Sequence, residues 1–449
     1  MANTRLQRTF SQAATSTKKG TFSFWMKRAS LSGEQDILAS PYGSGRSFIR
    51  IESNGQIYAT INNAVDTHMP NMLFRDLSNW YHIVLAIDLT QSTSTDRVKF
   101  YVNGNLITSY GSQTPASSSE TISWGQNGKI TDIGYDTTDG GSGYFDGSLS
   151  HVHWIDGTAY DASYFGETDA TTGEWKINTS PSVTYGTNGF FILKDGNSVT
   201  DSSPNSNNFT VGGGTLTKTE DSPSNVFATM NPLANFYPGS TFAYGNTQTS
   251  MPASNKSFNV STIGMPSTSG KFYAEVKILV PSQYTEIGIS SGASTASIGG
   301  LGRTTSTSGN YEWGYTNGNQ VVRHNGGAMS WSGVNYTTND IVAVALDNDN
   351  QKIYWSVNGV YQNSGVPTSG ATGTGALSTS TVPSFYHFAG GDNHSSGDPT
   401  NTILQWNFGN GYFGTTAVSS AGTNASGIGI FEFNVPTGYT ALSTKGLNL

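Results

Sequence analysis

Two stretches with the same pattern, 96–107 and 351–361, constrain most strongly what this chain can fold into. In each, apolar and polar residues alternate along a predicted strand, which then meets an Asn-Gly pair at Asn103 or Asn358. This pattern is typical of a tight β-hairpin, because Asn and Gly tolerate the positive backbone angles of its turn. A chain of 449 residues is long enough for two domains. We therefore predict two β domains, each with one such hairpin at its centre.

The composition favours folded β domains with a weakly charged surface. Only 12% of the residues are charged, about half the usual share. The aromatic content of 12% argues against disorder, and 54 glycines indicate many turns. There is no cysteine, which excludes disulfides, thiolate zinc sites and cysteine nucleophiles.

Charge and hydropathy exclude several kinds of partner. The net charge of −8, without long runs of Lys and Arg, argues against nucleic acid. No segment approaches the roughly 20 apolar residues of a membrane span. The polar stretch 1–20 shows no secretory signal, so we expect a protein made in a cytoplasm.

The succession of short alternating segments predicts an all-β protein with very little helix. No long run has the 3.6-residue periodicity of a helix. We predict two domains built of antiparallel strands, and the resemblances described below imply that each is a β-sandwich of the jelly-roll type.

Five motifs of the first half follow one another in a recognisable order. They are Phe22-Ser-Phe-Trp, Trp80-Tyr-His-Ile, Val98-Lys-Phe-Tyr-Val-Asn-Gly, Ile133-Gly and Phe145-Asp-Gly-Ser-Leu. In this order they resemble the laminin-G-like, concanavalin-type jelly rolls. The resemblance covers roughly 20–166, and we expect the whole sandwich to extend over 21–217, preceded by an N-terminal arm over 1–20.

The segment 190–211 carries motifs that usually begin such domains, although here they come last. Phe190-Phe-Ile-Leu precedes Asp201-Ser-Ser-Pro-Asn-Ser-Asn-Asn-Phe. We hypothesise a circular permutation in which this segment returns to complete the first sandwich. Chain termini at the surface make such a rearrangement physically easy.

A second set of motifs fills the second half. They are Gly270-Lys-Phe-Tyr-Ala-Glu, Ile287-Gly-Ile, Trp313-Gly-Tyr, Asp340-Ile-Val-Ala-Val-Ala-Leu-Asp, Trp355-Ser-Val-Asn-Gly and Asn407-Phe-Gly. Over 255–415 the chain resembles the SPRY (B30.2) family, which is also a concanavalin-like sandwich. We then expect an irregular linker over 218–254 and a C-terminal tail over 416–449, with one strand that ends at Val435.

The connecting segments carry a third resemblance. They are Asp201-Ser-Ser-Pro-Asn-Ser-Asn-Asn-Phe, Asp221-Ser-Pro-Ser-Asn, Met230-Asn-Pro-Leu and Pro436-Thr-Gly-Tyr-Thr-Ala-Leu-Ser-Thr. They are similar to connectors in proteins of marine bacteriophages that combine these two kinds of sandwich. The resemblance implies a virion surface protein, either a tail fibre or spike that binds host-cell glycans or a capsid decoration or head fibre protein. Its expected partners are other virion proteins, host glycan and further copies of itself.

Glycan binding by such a sandwich would use aromatic faces and polar groups on loops. The candidates are Tyr315, Asn317, His324, Asn325, Trp331 and Tyr336 in the second half, and Tyr135 and Tyr144 in the first. Each of these side chains could instead pack the end of a sandwich, and that alternative stays open.

One group of acidic residues is a candidate calcium site, since calcium binds carboxylate and carbonyl oxygens. Its members are Asp132, Asp136, Asp139 and Asp146. The alternative is that Asp and Gly only make turns in this region.

A polysaccharide-degrading enzyme is the alternative from another class, because concanavalin-like folds include glycosidases that use two carboxylates. Glu34 and Asp36 are the candidate pair. The pattern of such enzymes needs a third acid shortly afterwards, and none follows here. We therefore interpret the pair as solvated loop acids and predict a protein that is not an enzyme.

Overall fold

The two predicted hairpins lie in separate units of the computed structural model. Unit 1 is Met1–Lys218 with Ser222–Ser224, and unit 2 is Thr219–Asp221 with Asn225–Leu449. The structure describes residues 3–42, 45–63, 65–138, 143–194, 196–236, 239–253, 256–292, 300–303, 311–393 and 401–449. The helices among these residues are short 3-10 turns at Ser94–Asp96, Ala162–Tyr164, Gln362–Ser364, Pro367–Thr372 and Gly446–Asn448. No helix in the described ranges has the length and apolar character needed to cross a membrane.

Unit 1 is a sandwich of two antiparallel sheets. Its strands are β1 (Arg5–Thr9), β2 (Lys19–Arg28), β3 (Gln35–Tyr42), β4 (Gly45–Ile51), β5 (Ile57–Thr60), β6 (Thr67–Pro70), β7 (Tyr81–Asp88), β8 (Val98–Val102), β9 (Asn105–Leu106), β10 (Tyr110–Thr114), β11 (Ile130–Ile133), β12 (Gly147–Asp156), β13 (Gly166–Thr168), β14 (Trp175–Ile177), β15 (Phe190–Ile192) and β16 (Thr210–Gly213). The eight-stranded sheet has the order β10-β6-β5-β4-β3-β11-β1-β16. The six-stranded sheet has the order β15-β12-β2-β7-β8-β9, and β13 pairs with β14 apart from both.

Unit 2 repeats this two-sheet arrangement. Its strands are β17 (Met230–Phe236), β18 (Thr241–Ala243), β19 (Gln248–Ser250), β20 (Ser257–Ser261), β21 (Met265–Pro266), β22 (Lys271–Val280), β23 (Thr285–Ser290), β24 (Glu312–Thr316), β25 (Val321–His324), β26 (Gly327–Ala328), β27 (Ile341–Asp347), β28 (Lys352–Val357), β29 (Val360–Tyr361), β30 (Leu377–Ser378), β31 (Phe385–Asp392), β32 (Ile403–Asn407), β33 (Tyr412–Phe413), β34 (Thr416–Ala417) and β35 (Thr440–Ala441). One sheet has the order β17-β20-β31-β23-β24-β25-β26, with β21 added to β31. The other has the order β18-β19-β32-β22-β27-β28-β29, with β30 and β35 added. The prediction of an all-β, antiparallel fold with very little helix is confirmed.

Both Asn-Gly pairs form the tight turns that the sequence predicts. The φ angles are 46° and 80° at Asn103 and Gly104, and 49° and 80° at Asn358 and Gly359. Each Asn is also tied to the strand that precedes its hairpin. Asn103 Oδ1 accepts a hydrogen bond of 2.8 Å from His82 N, and the Asn103 N–H donates to the His82 carbonyl.

The core of unit 1 lies between its two sheets and follows from strand alternation. Phe22, Leu85 and Phe100 face it from the six-stranded sheet, and Leu38 and Ile49 face it from the eight-stranded sheet. Residues one step away along a strand point to the opposite face, because side chains alternate along a strand.

A cover segment, 157–189, closes the outer face of the six-stranded sheet. Phe165 and Tyr185 of this segment pack on Val84 and Phe191, which point away from the main core. The Trp175 ring lies over the Asn-Gly turn, and its Nε1 donates to His82 Nδ1 at 3.0 Å. The six-stranded sheet is therefore buried on both faces.

The C-terminal segment, 416–449, covers the outer face of one sheet of unit 2 in the same way. Phe431, Val435 and Tyr439 pack on Tyr273 and Ala343, on the outer face of the sheet that contains β27. A further strand of this segment, β35, pairs in parallel with β22.

Buried Glu275 anchors the C-terminal segment. It accepts hydrogen bonds of 2.8 Å from the backbone N–H groups of Glu432 and Phe433, and one of 3.1 Å from the Tyr273 hydroxyl. Burial raises the pKa of Glu275 to about 7. The C-terminal segment is thus packed and hydrogen-bonded, in contrast to the expected tail, and no strand of the described residues ends at Val435.

Two further boundaries differ from the expected ones. Within the expected arm 1–20, β1 lies between β11 and β16, and its Leu6 is buried in the core. Within the expected linker 218–254, Met230 and Met251 are buried in the core of unit 2. Apolar residues this sparse leave no periodicity in the sequence, although they are buried in the folded chain.

Sequence analysis predicts that the segment 190–211 returns to the first sandwich, and the structure shows where its strands pair. Phe190–Ile192 pairs with β12 in the six-stranded sheet, and Thr210–Gly213 pairs with β1 in the eight-stranded sheet. The loop between these strands is held by Asp201, whose carboxylate accepts from the N–H groups of Phe191 and Asn207. This segment therefore contributes to both sheets of unit 1.

We predict that Gly104→Ala destabilises unit 1 more than Gly128→Ala does. Both glycines have positive φ, 80° and 72°, and backbone strain costs each alanine about 1–2 kcal/mol. A Cβ at Gly104 would in addition lie 2.4 Å from the Trp175 ring, whereas one at Gly128 would meet nothing within 4 Å. We expect this overpacking to add about 1–3 kcal/mol to the loss, measured by urea unfolding. Equal losses for the two variants would contradict the Trp175 contact.

Candidate functional site

Two half-buried tyrosines form an aromatic ledge at the edge of unit 1. Tyr135 follows β11 and Tyr144 precedes β12, and their rings stack with centroids 4.1 Å apart at 19°. The backbone holds them together, because Phe145 N donates to the Gly134 carbonyl at 2.9 Å and Tyr144 forms a bridge with Asp36 on β3. The ledge unites the two aromatic candidates that sequence analysis named in the first half.

Charged side chains surround the ledge on the outer face of the eight-stranded sheet. Asp136, next to Tyr135, is fully buried and forms an ion pair of 2.7 Å with Arg46. Its other oxygen accepts from the Thr138 N–H at 2.8 Å. These contacts fix the loop that carries Tyr135.

Strand β4 carries two cations with an aromatic ring between them, and of the three side chains only that of Arg50 is partly exposed. Ile49 faces the core, whereas Phe48 lies between the guanidinium groups of Arg46 and Arg50, which are 4.7 and 4.8 Å from its ring centroid. Arg50 also bonds Glu52 at 2.6 Å. Sequence analysis missed these residues, although the alternation in 47–51 places them on the face opposite the core.

Asp36 lies under the ledge and is not a solvated loop acid, which corrects that interpretation. It belongs to β3 and is fully buried, and neither carboxylate oxygen has a hydrogen-bond partner in the described part of the chain. Burial, reinforced by nearby Asp136, raises the pKa of Asp36 to about 6, against the opposing effect of Arg46 and Arg50. Glu34 points instead toward Arg50, with 3.7 Å between Oε2 and Nη1.

The described members of the predicted calcium group do not fit calcium by themselves. Asp132 accepts from the backbone N–H and hydroxyl of Thr137, and Asp136 is already paired with Arg46. Asp146, two residues after Tyr144, is half-buried, and Asp139 lies outside the described residues. Within the described ranges no three His, Asp or Glu side chains are arranged to hold a metal ion. Calcium here stays a prediction.

Three of the glycan candidates in unit 2 are buried, which corrects the expectation that they lie on binding loops. Tyr315 and Tyr336 lie in the core, and the Tyr336 hydroxyl donates to the Thr285 carbonyl at 2.7 Å. Asn317 is buried beside them and donates to the Ser282 carbonyl at 3.0 Å. Their polar groups form hydrogen bonds with the backbone at this end of the sandwich, and their buried side chains offer no face to a ligand.

The remaining candidates in unit 2 do not form an aromatic platform either. Trp331 is half-buried and packs edge-on against Trp355, with ring centroids 5.2 Å apart. His324 stacks on buried Trp313 at 4.1 Å. Asn325 is exposed in the turn after His324, with a φ of 53°.

Comparison with known proteins agrees with this architecture. Residues 5–163 match the family model of the concanavalin A-like lectin/glucanases superfamily. The match and the packed antiparallel sheets show a concanavalin-like, laminin-G-type β-sandwich fold. No curated protein matched the chain.

Several solved structures are similar to the chain at low identity. The SPRY domain of human HERC1 is 15% identical with a TM-score of 0.31, and the match covers 39% of this chain and 96% of that one. A heptameric SAP-like pentraxin from Limulus polyphemus is 14% identical with a TM-score of 0.29, over 48% and 91% of the chains. Domains LG4-5 of the mouse laminin α1 chain are 9% identical with a TM-score of 0.28, over 90% and 86%. Similarity this low is no basis for assigning a function to this chain.

We predict that Asp36→Asn gains stability relative to the wild type as the pH rises. The pKa of Asp36, about 6, lies above its ordinary value of 3.8. The protonated carboxyl therefore stabilises the folded state fully below about pH 4, and this stabilisation is lost as the pH rises through 6. Asparagine cannot ionise. The difference in unfolding free energy should therefore shift toward the variant by about 1–3 kcal/mol between about pH 4.5 and pH 7.5. Urea unfolding at both pH values tests this, and a pH-independent difference would contradict it.

Proposed function

We propose that this chain is a non-enzymatic glycan-binding protein of a bacteriophage virion surface, in a tail fibre or spike. The observation that carries the proposal is the stacked pair Tyr135–Tyr144, which is half-exposed. Asp36, which bridges to Tyr144, also pairs with half-buried Arg50 on the neighbouring strand. The lectin branch of the matched superfamily is consistent with it.

The chemistry of this surface suits a sugar. The apolar face of a pyranose ring packs well on an aromatic side chain, while its hydroxyl groups need donors and acceptors placed around it. Tyr135 and Tyr144 supply ring surface and phenolic hydroxyls. Arg50, which is held by Glu52, supplies donors in a fixed direction on the same sheet.

Weak binding at each site would suit a virion protein. A shallow surface with two rings buries little of a ligand, so we expect low affinity per site. Many copies on one particle would raise the overall affinity by multivalency, which also favours the proposed homo-oligomer.

The virion location rests on the sequence resemblance of the connectors. Capsid decoration is the alternative location, in which the sandwiches would serve contacts between virion proteins. An enzymatic role is disfavoured because Asp36, the acid with the raised pKa, is fully buried and cannot reach a glycosidic oxygen.

We predict that Tyr135→Ala and Tyr144→Ala each weaken glycan binding by about tenfold, since each removes roughly 1–3 kcal/mol of stacking and burial. Binding would be measured on an array of bacterial surface polysaccharides and then by calorimetry. The matched control is Tyr164→Ala, from the pair Tyr160–Tyr164 on the same unit, whose rings are 4.4 Å apart but tilted by 52°. Unchanged binding in the Tyr135 and Tyr144 variants would overturn the proposed site.

The location needs a separate measurement on particles of the source virus. Antibody label at tail fibres or tips in electron micrographs would support the fibre or spike, and label over the capsid would support decoration instead. Absence of the protein from particles, together with release of reducing ends from the bound polysaccharide, would favour the enzyme.

A further inference from the structure

A cavity of about 430 Å³ opens at the surface of unit 2, and none of the binding candidates from sequence analysis lines it. Its walls come from the start of β22, from the turn after β27 and from the C-terminal segment. A volume above roughly 300 Å³ is typical of sites for small molecules. The cavity is therefore large enough for a ligand of one or two sugar rings.

The walls of the cavity are rigid because the C-terminal segment is firmly attached. β35 pairs with β22 along one side. Glu275 holds the chain at Glu432 and Phe433. The shape of the cavity thus exists before any ligand binds, which lowers the entropy that binding would cost.

The lining combines apolar and polar groups. Pro266, Phe272 and Leu447 supply apolar surface, and Ser269, Asp349 and Thr440 supply oxygen atoms. This combination suits an amphipathic ring molecule, with one apolar face and several hydroxyl groups.

Two of these oxygen-bearing side chains have unused hydrogen-bonding capacity. Thr440 is only 5% exposed, and its Oγ1 has no hydrogen-bond partner among the described residues. Asp349 Oδ1 accepts from the Gly270 N–H at 2.8 Å, and the described residues offer no donor to Oδ2. A buried hydroxyl without a partner is costly, and a ligand that bonds it would recover that cost.

The charges of the cavity argue against an ionic ligand. Lys271 Nζ lies 2.9 Å from buried Asp347 and 5.9 Å from the Tyr439 ring centroid, so the chain's own ammonium group already occupies the place where a cation would bind. The carboxylates of Asp347 and Asp349 outnumber this single cation and would repel an anion.

We propose that this cavity is a second binding site, specific for a neutral sugar residue. The hydroxyl groups of the sugar would donate to Asp349 Oδ2 and exchange hydrogen bonds with Thr440 Oγ1, while the sugar ring packs on Pro266 and Leu447. The site goes beyond the proposed function, because it lies in the other unit and shares no residue with the tyrosine ledge.

The test uses the full chain and saturation-transfer NMR with four probes: glucose, galactose, mannose and N-acetylglucosamine. Ala425 is exposed and lines the cavity, so Ala425→Trp should fill it without disturbing the core and should abolish the signal of the bound sugar. Thr440→Val removes only the hydroxyl and should weaken binding by about three- to tenfold. The matched control is Ala421→Trp, at an exposed alanine of the same segment that does not line the cavity.

The double variant Tyr135→Ala/Tyr144→Ala separates this proposal from the first one. Signal that persists in it and disappears when Ala425→Trp is added to it supports the cavity site, whatever becomes of the ledge. Signal that survives Ala425→Trp and disappears in the tyrosine variant overturns the cavity site and leaves the ledge standing. Absence of signal from all four sugars overturns the cavity site as well.

Discussion

The sheet that carries the Asn-Gly hairpin is buried on both faces in each unit, and the rest of the fold depends on this. Val84 and Ala343 point away from the sandwich cores and are nevertheless fully buried. Strands this apolar on both sides cannot face water, so each sandwich needs a cover segment to be stable. Unit 1 takes its cover from 157–189 and unit 2 takes it from the C-terminal segment.

The two units also close their central hairpins with the same hydrogen bonds. In unit 2, Asn358 Oδ1 accepts from Ile341 N at 3.0 Å, and the Asn358 N–H donates to the Ile341 carbonyl. Asn103 makes the same pair of bonds with His82 in unit 1. Asparagine therefore serves twice, since it tolerates the positive φ and its side chain adds a hydrogen bond at the end of the sheet. This local chemistry explains why the hairpins could be predicted from sequence.

The covers and most of the binding candidates could not be predicted in this way, because they depend on contacts between distant residues. Tyr336 stands in a Ser- and Gly-rich stretch typical of an exposed loop, but its hydroxyl is bound to the carbonyl of Thr285, 51 residues away. One feature of the sequence did indicate a cover: β27 is apolar without interruption over 341–346. A central strand that is apolar at successive positions indicates burial on both faces, and hence a cover that must come from elsewhere in the chain.

The covers also limit where the two proposed binding sites can lie. In unit 1 the cover closes the six-stranded sheet, so the proposed site lies on the eight-stranded sheet, where the tyrosine ledge and Arg50 are half-buried. In unit 2 the cover itself makes a wall of the cavity, and next to β22 the Thr440 hydroxyl is buried with no hydrogen-bond partner among the described residues. One structural requirement, the burial of a two-sided apolar strand, therefore leaves a half-buried tyrosine pair in one unit and a cavity of mixed lining, open to the surface, in the other.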